Sequence, residues 1–236
     1  MKRSRNSGAG QEFWNKEYRG GNHLALSENP SEDLIKFTRW LERESGKEYL
    51  NIKSSVLDLG CGNGRNLIYL SKNFGMRGLG FDISEEAILL AKKLSEDLSI
   101  EYQTRSIAGQ INIPEKSQNF VLDMMTSHFL NESERKSLLT EISRVLKPGG
   151  WFFWKTFLRD EDEHAERLLK ESPAGESGSY IHPKIGVAEH VYTENEISKL
   201  LDENFDILKI TKSHSHLRRG QAFKRRSMSI YAQRKF

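Results

Sequence analysis

Short apolar runs recur along the chain, separated by stretches in which apolar residues return every three or four positions. The first run, Ser55–Leu59, places Val56, Leu57 and Leu59 around a single acid, Asp58. A strand that is covered on both faces needs this composition, so the run predicts a buried parallel strand. Further strands are predicted at Gly78–Asp82, at Ser99–Thr104 from alternation of apolar and polar residues, within Asn119–His128, and at Trp151–Phe157, Phe205–Thr211 and Arg226–Gln233.

The predicted helices are bounded by residues that commonly begin or end a helix. Ser31 is expected to begin one helix, and Thr193 another, with a glutamate three residues later that completes a capping box. Pro148 and Gly149 are expected to close the helix before the fifth strand. Other helices are predicted from about Arg65 to Asn73, from Ser84 to about Leu94 with Ile88, Leu89 and Ala91 inward, and from Asn131 to Val145.

Three glycines, Gly60, Gly62 and Gly64, join the first predicted strand to its helix. Glycine permits a sharp turn with positive φ and lets a ligand approach the main chain closely. The dinucleotide pattern G-x-G-x-x-G would need a third glycine where Arg65 stands. Asp58 would repel a phosphate and attract an ammonium group. These residues favour S-adenosylmethionine, which carries an amino acid group and no phosphate; a tight structural turn without a ligand is the alternative.

The run D-L-G-C-G-N-G at residues 58–64 resembles motif I of the class I S-adenosylmethionine-dependent methyltransferases, and L-K-P-G-G before an aromatic strand resembles another signature of that family. The resemblance implies an α/β fold, a Rossmann-like sheet of seven mostly parallel strands with helices on both faces and the last strand inserted antiparallel. It also implies that S-adenosyl-L-methionine is the cofactor. Asp82 matches motif II, whose acid accepts hydrogen bonds from a ribose diol.

The remaining cofactor contacts follow the family with one departure. The family usually places an acid beyond the third strand to bind the adenine amino group, whereas Arg105–Gln110 contains none. Ser106 or a backbone carbonyl is therefore expected to serve, while Ile83 and Ile107 sandwich the adenine. The predicted cofactor-binding set is Tyr18, Asp58, Gly60, Gly62, Asn63, Gly64, Asp82, Ile83, Ser106, Ile107 and Thr126.

Residues 1–30 are predicted to be a flexible leader, and residues 31–236 to form the methyltransferase domain. The leader carries an aromatic cluster, Phe13–Tyr18, which is similar to a segment that folds over the cofactor in small-molecule methyltransferases. Aromatic rings in such a lid exclude water and can face a sulfonium cation. Tyr18 is expected to contact the cofactor, and Trp14 either to contact the acceptor or to dock the leader on the core.

Acceptor-binding residues are expected at the carboxyl ends of the strands, where doubly wound sheets bind ligands. His128, after the fourth strand, is either a general base or a wall of the cofactor pocket. An insertion at about 158–190 is expected to form a lid over the acceptor. A G-R-N-x-x-Y-L run is similar to tellurite-resistance and thiopurine-type methyltransferases, which implies that the last hairpin brings His216, a second candidate base, with Arg218 and Arg219 to the acceptor.

The charge distribution leaves a second function open. The chain has 36 Lys and Arg against 33 Asp and Glu, yet no acid follows Asp206. A basic field favours an anionic acceptor or a nucleic-acid backbone, although a solvated strand face is equally consistent with it. The predicted function is methyl transfer by direct displacement to a small-molecule acceptor. An RNA or protein acceptor bound by the basic hairpin is the alternative, and a non-catalytic binding module is a third hypothesis.

The composition of the chain argues against disulfide-linked, metal-binding and membrane proteins. Cys61 is the single cysteine, so the chain can form neither an internal disulfide nor a thiolate metal cluster, which fits a reducing cytoplasm. The histidines are too irregularly spaced to predict a metal site. No apolar run approaches the roughly 20 residues of a membrane helix, so no membrane association is predicted.

Overall fold

The computed structural model describes residues 7–20, 26–213, 217–218, 221–222 and 224–236. Two of the predicted acceptor residues, His216 and Arg219, lie outside these ranges, and so does the side chain of Arg218. Among the described residues, no helix is both long enough and apolar enough to cross a membrane. The same residues contain no group of three or more His, Cys, Asp or Glu side chains arranged to hold a metal ion.

The order of elements follows the predicted alternation of strands and helices. The helices are α1 (Ser7–Tyr18), α2 (Glu32–Ser45), α3 (Arg65–Phe74), α4 (Glu85–Leu94), α5 (Glu132–Val145), α6 (Glu163–Glu171) and α7 (Glu194–Leu201). The strands are β1 (Ser55–Leu59), β2 (Arg77–Asp82), β3 (Ile100–Thr104), β4 (Gln118–Met124), β5 (Leu146–Phe157), β6 (Ser179–Ile181), β7 (Ala188–His190), β8 (Phe205–Lys212), β9 (Leu217–Arg218), β10 (Gln221–Ala222) and β11 (Ser227–Arg234). A 3₁₀ turn at Ser127–Phe129 follows β4.

The main sheet has seven strands in the order β3-β2-β1-β4-β5-β11-β8. Strand β2 runs parallel to both β1 and β3. Strand β11, the last in the chain, lies antiparallel between β5 and β8. The predicted Rossmann-like sheet, seven-stranded and mostly parallel with the last strand inserted antiparallel, is confirmed.

One of two compact units holds α1 to α4, β1 to β3 and most of β4. Residues Val56 to Leu59 are all buried, as a strand with two covered faces requires. Helix α4 buries Ile88 and Ala91, but Leu89 is 57% exposed, so the expectation that it points inward is wrong. One residue step rotates about 100° around a helix, which moves Leu89 off the buried stripe that contains Ile88.

Helix α1 occupies a segment that was expected to be part of a flexible leader. It spans twelve residues, Ser7–Tyr18, and packs against α4 in the same unit. The Asn15 side chain is a polar contact between the two helices, because its Oδ1 accepts a hydrogen bond of 2.8 Å from Ser84 Oγ. Arg19, just after the helix, pairs with Glu86 at 2.8 Å. The first part of the chain is therefore attached to the start of α4.

The second unit holds α5 to α7, β5 to β11 and the 3₁₀ turn. Its core is strongly aromatic: the Trp154 ring meets the Tyr192 ring edge-on at 5.0 Å, and the Phe152 ring lies 5.6 Å from that of Phe205. Helix α5 ends at Val145, and the extended backbone of β5 begins at the next residue. Gly149, with φ of 72°, thus lies inside β5 and does not close the helix as predicted.

The insertion is a small folded element within this second unit. It consists of α6 and the antiparallel hairpin β6–β7. A core of its own forms where Ala165 and Leu168 of α6 pack with Tyr180 and Val191. Strand β7 also packs against the 3₁₀ turn that follows β4. The insertion therefore covers the segment on which His128 lies.

Candidate active site

The glycine turn after β1 has the conformation that the sequence predicts. Gly60, Gly62 and Gly64 have φ angles of 78°, 55° and 76°, a region that residues with a Cβ rarely adopt. The turn is joined to the end of β2, because the backbone N–H groups of Gly60 and Cys61 both donate to the carbonyl of Phe81, at 2.7 and 2.9 Å. The turn and the end of β2 therefore form one rigid element.

Two tyrosine hydroxyls occupy the space that side chains at this turn would need. A Cβ on Gly62 would overlap the hydroxyl of Tyr18, and a Cβ on Gly64 would overlap the hydroxyl of Tyr102 from β3. Burial, followed by the negative field of Asp82, raises the pKa of Tyr18. Tyr18, predicted as a cofactor contact, thus remains a neutral phenol that lies directly against the glycine turn.

Asp82 connects the two cofactor motifs by direct hydrogen bonds. Its Oδ2 accepts a bond of 2.9 Å from the backbone N–H of Gly62, and its Oδ1 accepts one of 2.8 Å from that of Ser84. The residue is 9% exposed, and burial raises its pKa although these backbone donors oppose the shift. The two bonds fix the orientation of the carboxylate, and each oxygen keeps a further lone pair with which it can accept a hydroxyl.

Asp58 adds a second buried acid to this region. It is 1% exposed within β1, two residues before the glycine turn. Burial, and next the field of Asp58, raises the pKa of the Cys61 thiol well above its usual value. Cys61 is therefore a protonated, buried thiol, and this state is unsuited to nucleophilic chemistry. A negative field at the turn suits an ammonium group, as the sequence predicted for Asp58.

The predicted adenine-contacting residues follow β2 and β3. Ile107 is buried, whereas Ile83 and Ser106 are half-buried. The Asn63 side chain, predicted to bind the cofactor, donates a hydrogen bond of 3.1 Å to the carbonyl of Ser27. Asn63 therefore connects the glycine turn to the segment before α2, and its role toward the cofactor stays a prediction.

The contact between Asn15 and Ser84 was not predicted from the sequence. Ser84 Oγ caps α4 by accepting from the backbone N–H of Ala87 at 3.1 Å, and it donates to Asn15 at the same time. The sequence predicts that a helix begins at Ser84, but it does not predict the partner of Ser84 on α1. Asn15 lies inside the aromatic cluster Phe13–Tyr18, and this position is the only feature of the sequence that indicates a contact.

His128 lies in the second unit, in the 3₁₀ turn after Thr126. It is 2% exposed, and its ring lies 4.1 Å from that of Phe129 and 5.1 Å from that of Phe157. Burial, followed by the positive field of Arg225, lowers the pKa of His128 to about 3. The imidazole is therefore neutral at physiological pH and is a weak base. This environment fits a pocket wall better than a general base.

Asp123 holds the backbone of the same turn. Its Oδ1 accepts hydrogen bonds from the backbone N–H groups of Thr126 at 3.3 Å and Ser127 at 3.1 Å. Burial raises the pKa of Asp123 to about 6. Thr126, a predicted cofactor residue, is thus positioned through its main chain by a carboxyl group that the sequence analysis did not select.

Arg225 is the most consequential residue that the sequence analysis did not select. Its Nε donates to Asp162 at 3.1 Å, its Nη1 donates to the hydroxyl of Tyr180, and Nη1 lies 3.6 Å from Glu189. Its Cζ stands 4.2 Å above the ring centre of Phe157. Sequence reasoning counted this arginine in a basic surface field, whereas the fold turns it inward toward the insertion.

Other members of the predicted basic field are also paired. Arg226 forms an ion pair with Glu161, and Lys212 forms one with Glu194. Within the described residues, these contacts neutralise part of the charge that favoured a nucleic-acid backbone. Only the positions of the acids in the fold show this, because the basic run itself contains none.

Comparisons with known proteins agree with these motifs. Residues 56–150 match a family model described as a methyltransferase domain. The glycine/sarcosine/dimethylglycine N-methyltransferase of Actinopolyspora halophila is 27% identical over 135 residues, which make up 56% of this chain and 24% of that protein. The tRNA (carboxymethyluridine(34)-5-O)-methyltransferase of Arabidopsis thaliana is 29% identical over 160 residues, 66% of this chain and 36% of that protein. The chain thus spans about a quarter and about a third of these two relatives.

A solved structure with a similar fold is that of an S-adenosylmethionine-dependent methyltransferase from Methanosarcina mazei. It aligns with a TM-score of 0.67 and 25% sequence identity, over 80% of this chain and 95% of that one. The names of the two relatives differ in the molecule that is methylated. The comparisons therefore bear on the fold and the cofactor and leave the acceptor open.

Proposed function

Because this chain carries a class I S-adenosylmethionine-dependent methyltransferase domain, we propose that it transfers a methyl group by direct displacement to a small-molecule acceptor. The observation that carries the proposal is the pair of hydrogen bonds by which Asp82 holds Gly62 and Ser84. They fix a carboxylate at the end of β2 beside a glycine turn. The single buried thiol, Cys61, is consistent with a location in the reducing cytoplasm.

The residues of the first unit fit the proposed cofactor. The glycine turn has no side chains of its own, and the hydroxyls of Tyr18 and Tyr102 lie where a Cβ on Gly62 and on Gly64 would stand. Asp58 would hold the ammonium group, Asp82 the ribose diol, and Ile83 with Ile107 the adenine. When bound, S-adenosyl-L-methionine supplies a methyl group on a positively charged sulfur. Tyr18 and the helix that carries it would exclude water from this region.

In the proposed mechanism no side chain of the protein forms a covalent intermediate. Its main contribution is alignment of the acceptor with the methyl group, which lowers the entropic cost of a displacement. His128 remains neutral, so it would contact the acceptor and would not accept a proton from it. An acceptor that ionises readily, or one that is already a good nucleophile, needs no stronger base.

Calorimetric titration with S-adenosylmethionine and S-adenosylhomocysteine tests the cofactor, with NAD as the control. We expect micromolar affinity for the first two ligands and no binding of NAD. Absence of binding by either sulfur compound would refute the proposal and would favour a non-catalytic binding module.

An RNA or protein acceptor is the second candidate, and the exposed Lys224 of the last hairpin supports it. The pairing of Arg225 and Arg226 with acids weakens it. A gel shift with RNA at several salt concentrations separates the two candidates, because each phosphate contact steepens the loss of affinity with salt. We expect weak binding without a steep salt dependence; tight, strongly salt-dependent binding would favour RNA.

A further inference from the structure

Three side chains in the second unit meet at the end of β5, where His128 is buried and Phe157 and Arg225 are half-buried. The ring of Phe157 is flanked by the ring of His128 at 5.1 Å and by the guanidinium of Arg225, whose Cζ is 4.2 Å from the ring centre. Neither ring nitrogen of His128 has a hydrogen-bond partner among the described residues, and neither does Nη2 of Arg225. We call these two residues the His128–Arg225 pair.

Such polar atoms need an explanation, because buried donors and acceptors in folded proteins are nearly always hydrogen-bonded. Two nitrogens of Arg225 have hydrogen-bond partners in the insertion, since Nε donates to Asp162 and Nη1 donates to Tyr180. These contacts leave Nη2 without a partner. Packing would explain a phenyl ring at position 128 as well as an imidazole. The unpartnered polar atoms of the pair are therefore available to hydrogen-bond to a ligand.

The surrounding charges restrict the ligand. The positive charge of Arg225 is offset by two carboxylates that face it, Asp162 at 3.1 Å and Glu189 at 3.6 Å, and these acids disfavour a further anion beside Nη2. Both carboxylates are in turn engaged, since Asp162 also accepts from the backbone N–H of Arg226 and Glu189 accepts from Tyr180. No free carboxylate remains among these residues for an ammonium group.

The hydrogen-bonding capacity of the pair then selects the group. Arg225 Nη2 can only donate, whereas a neutral imidazole donates through one nitrogen and accepts through the other. An uncharged oxygen accepts from Arg225 and from the imidazole N–H, and a hydroxyl can also donate to the second ring nitrogen. This oxygen would replace the missing partners without adding a charge.

We propose that the His128–Arg225 pair is a binding subsite for an uncharged oxygen-bearing group, a hydroxyl or a carbonyl, of the methyl acceptor. The proposal rests on the function proposed above and adds the chemical class of the acceptor. Because β7 packs against the turn that carries His128, the insertion must shift for the acceptor to enter. This gives the insertion the role of a gate over the subsite.

The test uses the full chain saturated with S-adenosylhomocysteine and four probes that share one ring: benzyl alcohol, benzamide, benzoate and benzylammonium. Ligand-observed NMR gives a dissociation constant for each. We expect benzyl alcohol and benzamide to bind at least about fivefold more tightly than the two charged probes, as the loss of one hydrogen bond would produce. Arg225→Met and His128→Phe should each weaken the two neutral probes by a similar factor.

Arg226→Met is the matched control, because it removes a neighbouring arginine whose ion-pair partner, Glu161, is 82% exposed. It should leave probe affinity within about twofold of the wild type. His128→Phe keeps the test decisive if Arg225→Met fails to fold, since a phenyl ring can occupy the same apolar contacts. Circular dichroism and thermal unfolding confirm the fold of each variant.

Several results would overturn the subsite: equal affinity for all four probes, preference for a charged probe, no binding of any probe, or equal losses in the Arg226 control. Titration of S-adenosylmethionine distinguishes the two proposals. Failure of the wild type to bind it refutes the proposed function, whereas normal binding without a preference for the neutral probes refutes the subsite alone.

Discussion

Replacement of Asp82 by asparagine is the sharpest test of the cofactor site, because the two carboxylate oxygens accept from different backbone donors. Oδ2 accepts from Gly62, and Oδ1 accepts from Ser84. An asparagine offers one oxygen and one NH₂ group, so one backbone N–H must face another donor. The substitution therefore disturbs either the glycine turn or the start of α4, and it also removes the charge that would hold the ribose.

The expected loss follows from the number of hydrogen bonds made to a charged group. Each is worth about 1.5–3 kcal/mol, so Asp82→Asn should weaken S-adenosylmethionine binding by about 10- to 150-fold. Isothermal titration calorimetry on wild type and variant measures this ratio directly. Urea unfolding of the same samples shows whether the turn itself has lost stability.

Asp123→Asn provides the matched control. Asp123 is also a buried acid near a strand end, but Thr126 and Ser127 both donate to the same oxygen, Oδ1. An asparagine keeps that oxygen, so the backbone bonds survive. Cofactor affinity should stay within about threefold of the wild type, which corresponds to less than about 1 kcal/mol. Equal losses in the two variants, or unchanged affinity in Asp82→Asn, would refute the reasoning about Asp82.

Three further predictions concern stability. The folded-state pKa of Asp123 is raised to about 6 from a usual value of 3.8, so the favourable contribution of this group to stability is fully present below pH of about 4 and is lost as pH rises through about 6. Asp123→Asn should remove this pH dependence and raise the free energy of unfolding at pH 8 by about 3 kcal/mol. Urea unfolding at several pH values measures both effects. Gly62→Ala should destabilise the protein by more than about 2 kcal/mol, because a Cβ at this position is strained by the positive φ and overlaps the Tyr18 hydroxyl. Adding Tyr18→Phe should recover part of this loss. If chemical unfolding shows no recovery, the overlap is unimportant. Ser84→Ala should lower the free energy of unfolding by about 1–2 kcal/mol, because it removes the cap of α4. It should also speed hydrogen exchange in α1, because the contact with Asn15 is lost. Unchanged exchange would contradict that role for Asn15.

Local features of the molecule could be read from the sequence because their causes are local. Strand β1 followed from an apolar run around a single acid, and the cap at Thr193 followed from a residue that bonds the backbone three positions on. Ser31 also precedes a helix, as expected, but its side chain makes no cap bond. The positive φ angles of the glycine turn followed from the spacing of its three glycines. The number of strands and the antiparallel insertion of the last one came from the family resemblance, because periodicity does not specify which strands are neighbours.

The helical start of the chain shows the limit of such reasoning. Residues 7–18 are polar apart from one aromatic cluster, and they have little amphipathic pattern by which a helix could be predicted. Their helix packs against α4, and one of its contacts is the bond from Ser84 to Asn15, 69 residues apart. Tertiary packing rather than local propensity decides the structure of such a segment.

The sequence by itself determined the strand–turn–helix unit, the acids at its strand ends and hence the cofactor, because the conformation of glycine and the charge of aspartate act over a few residues. Tertiary structure alone decided the environment of the candidate acceptor residues. It turned Arg225 inward toward Asp162, 63 residues away, and enclosed His128 among aromatic rings. The charge of a side chain is written in the sequence, but its pKa and its partners depend on burial and on neighbours that only the fold brings together.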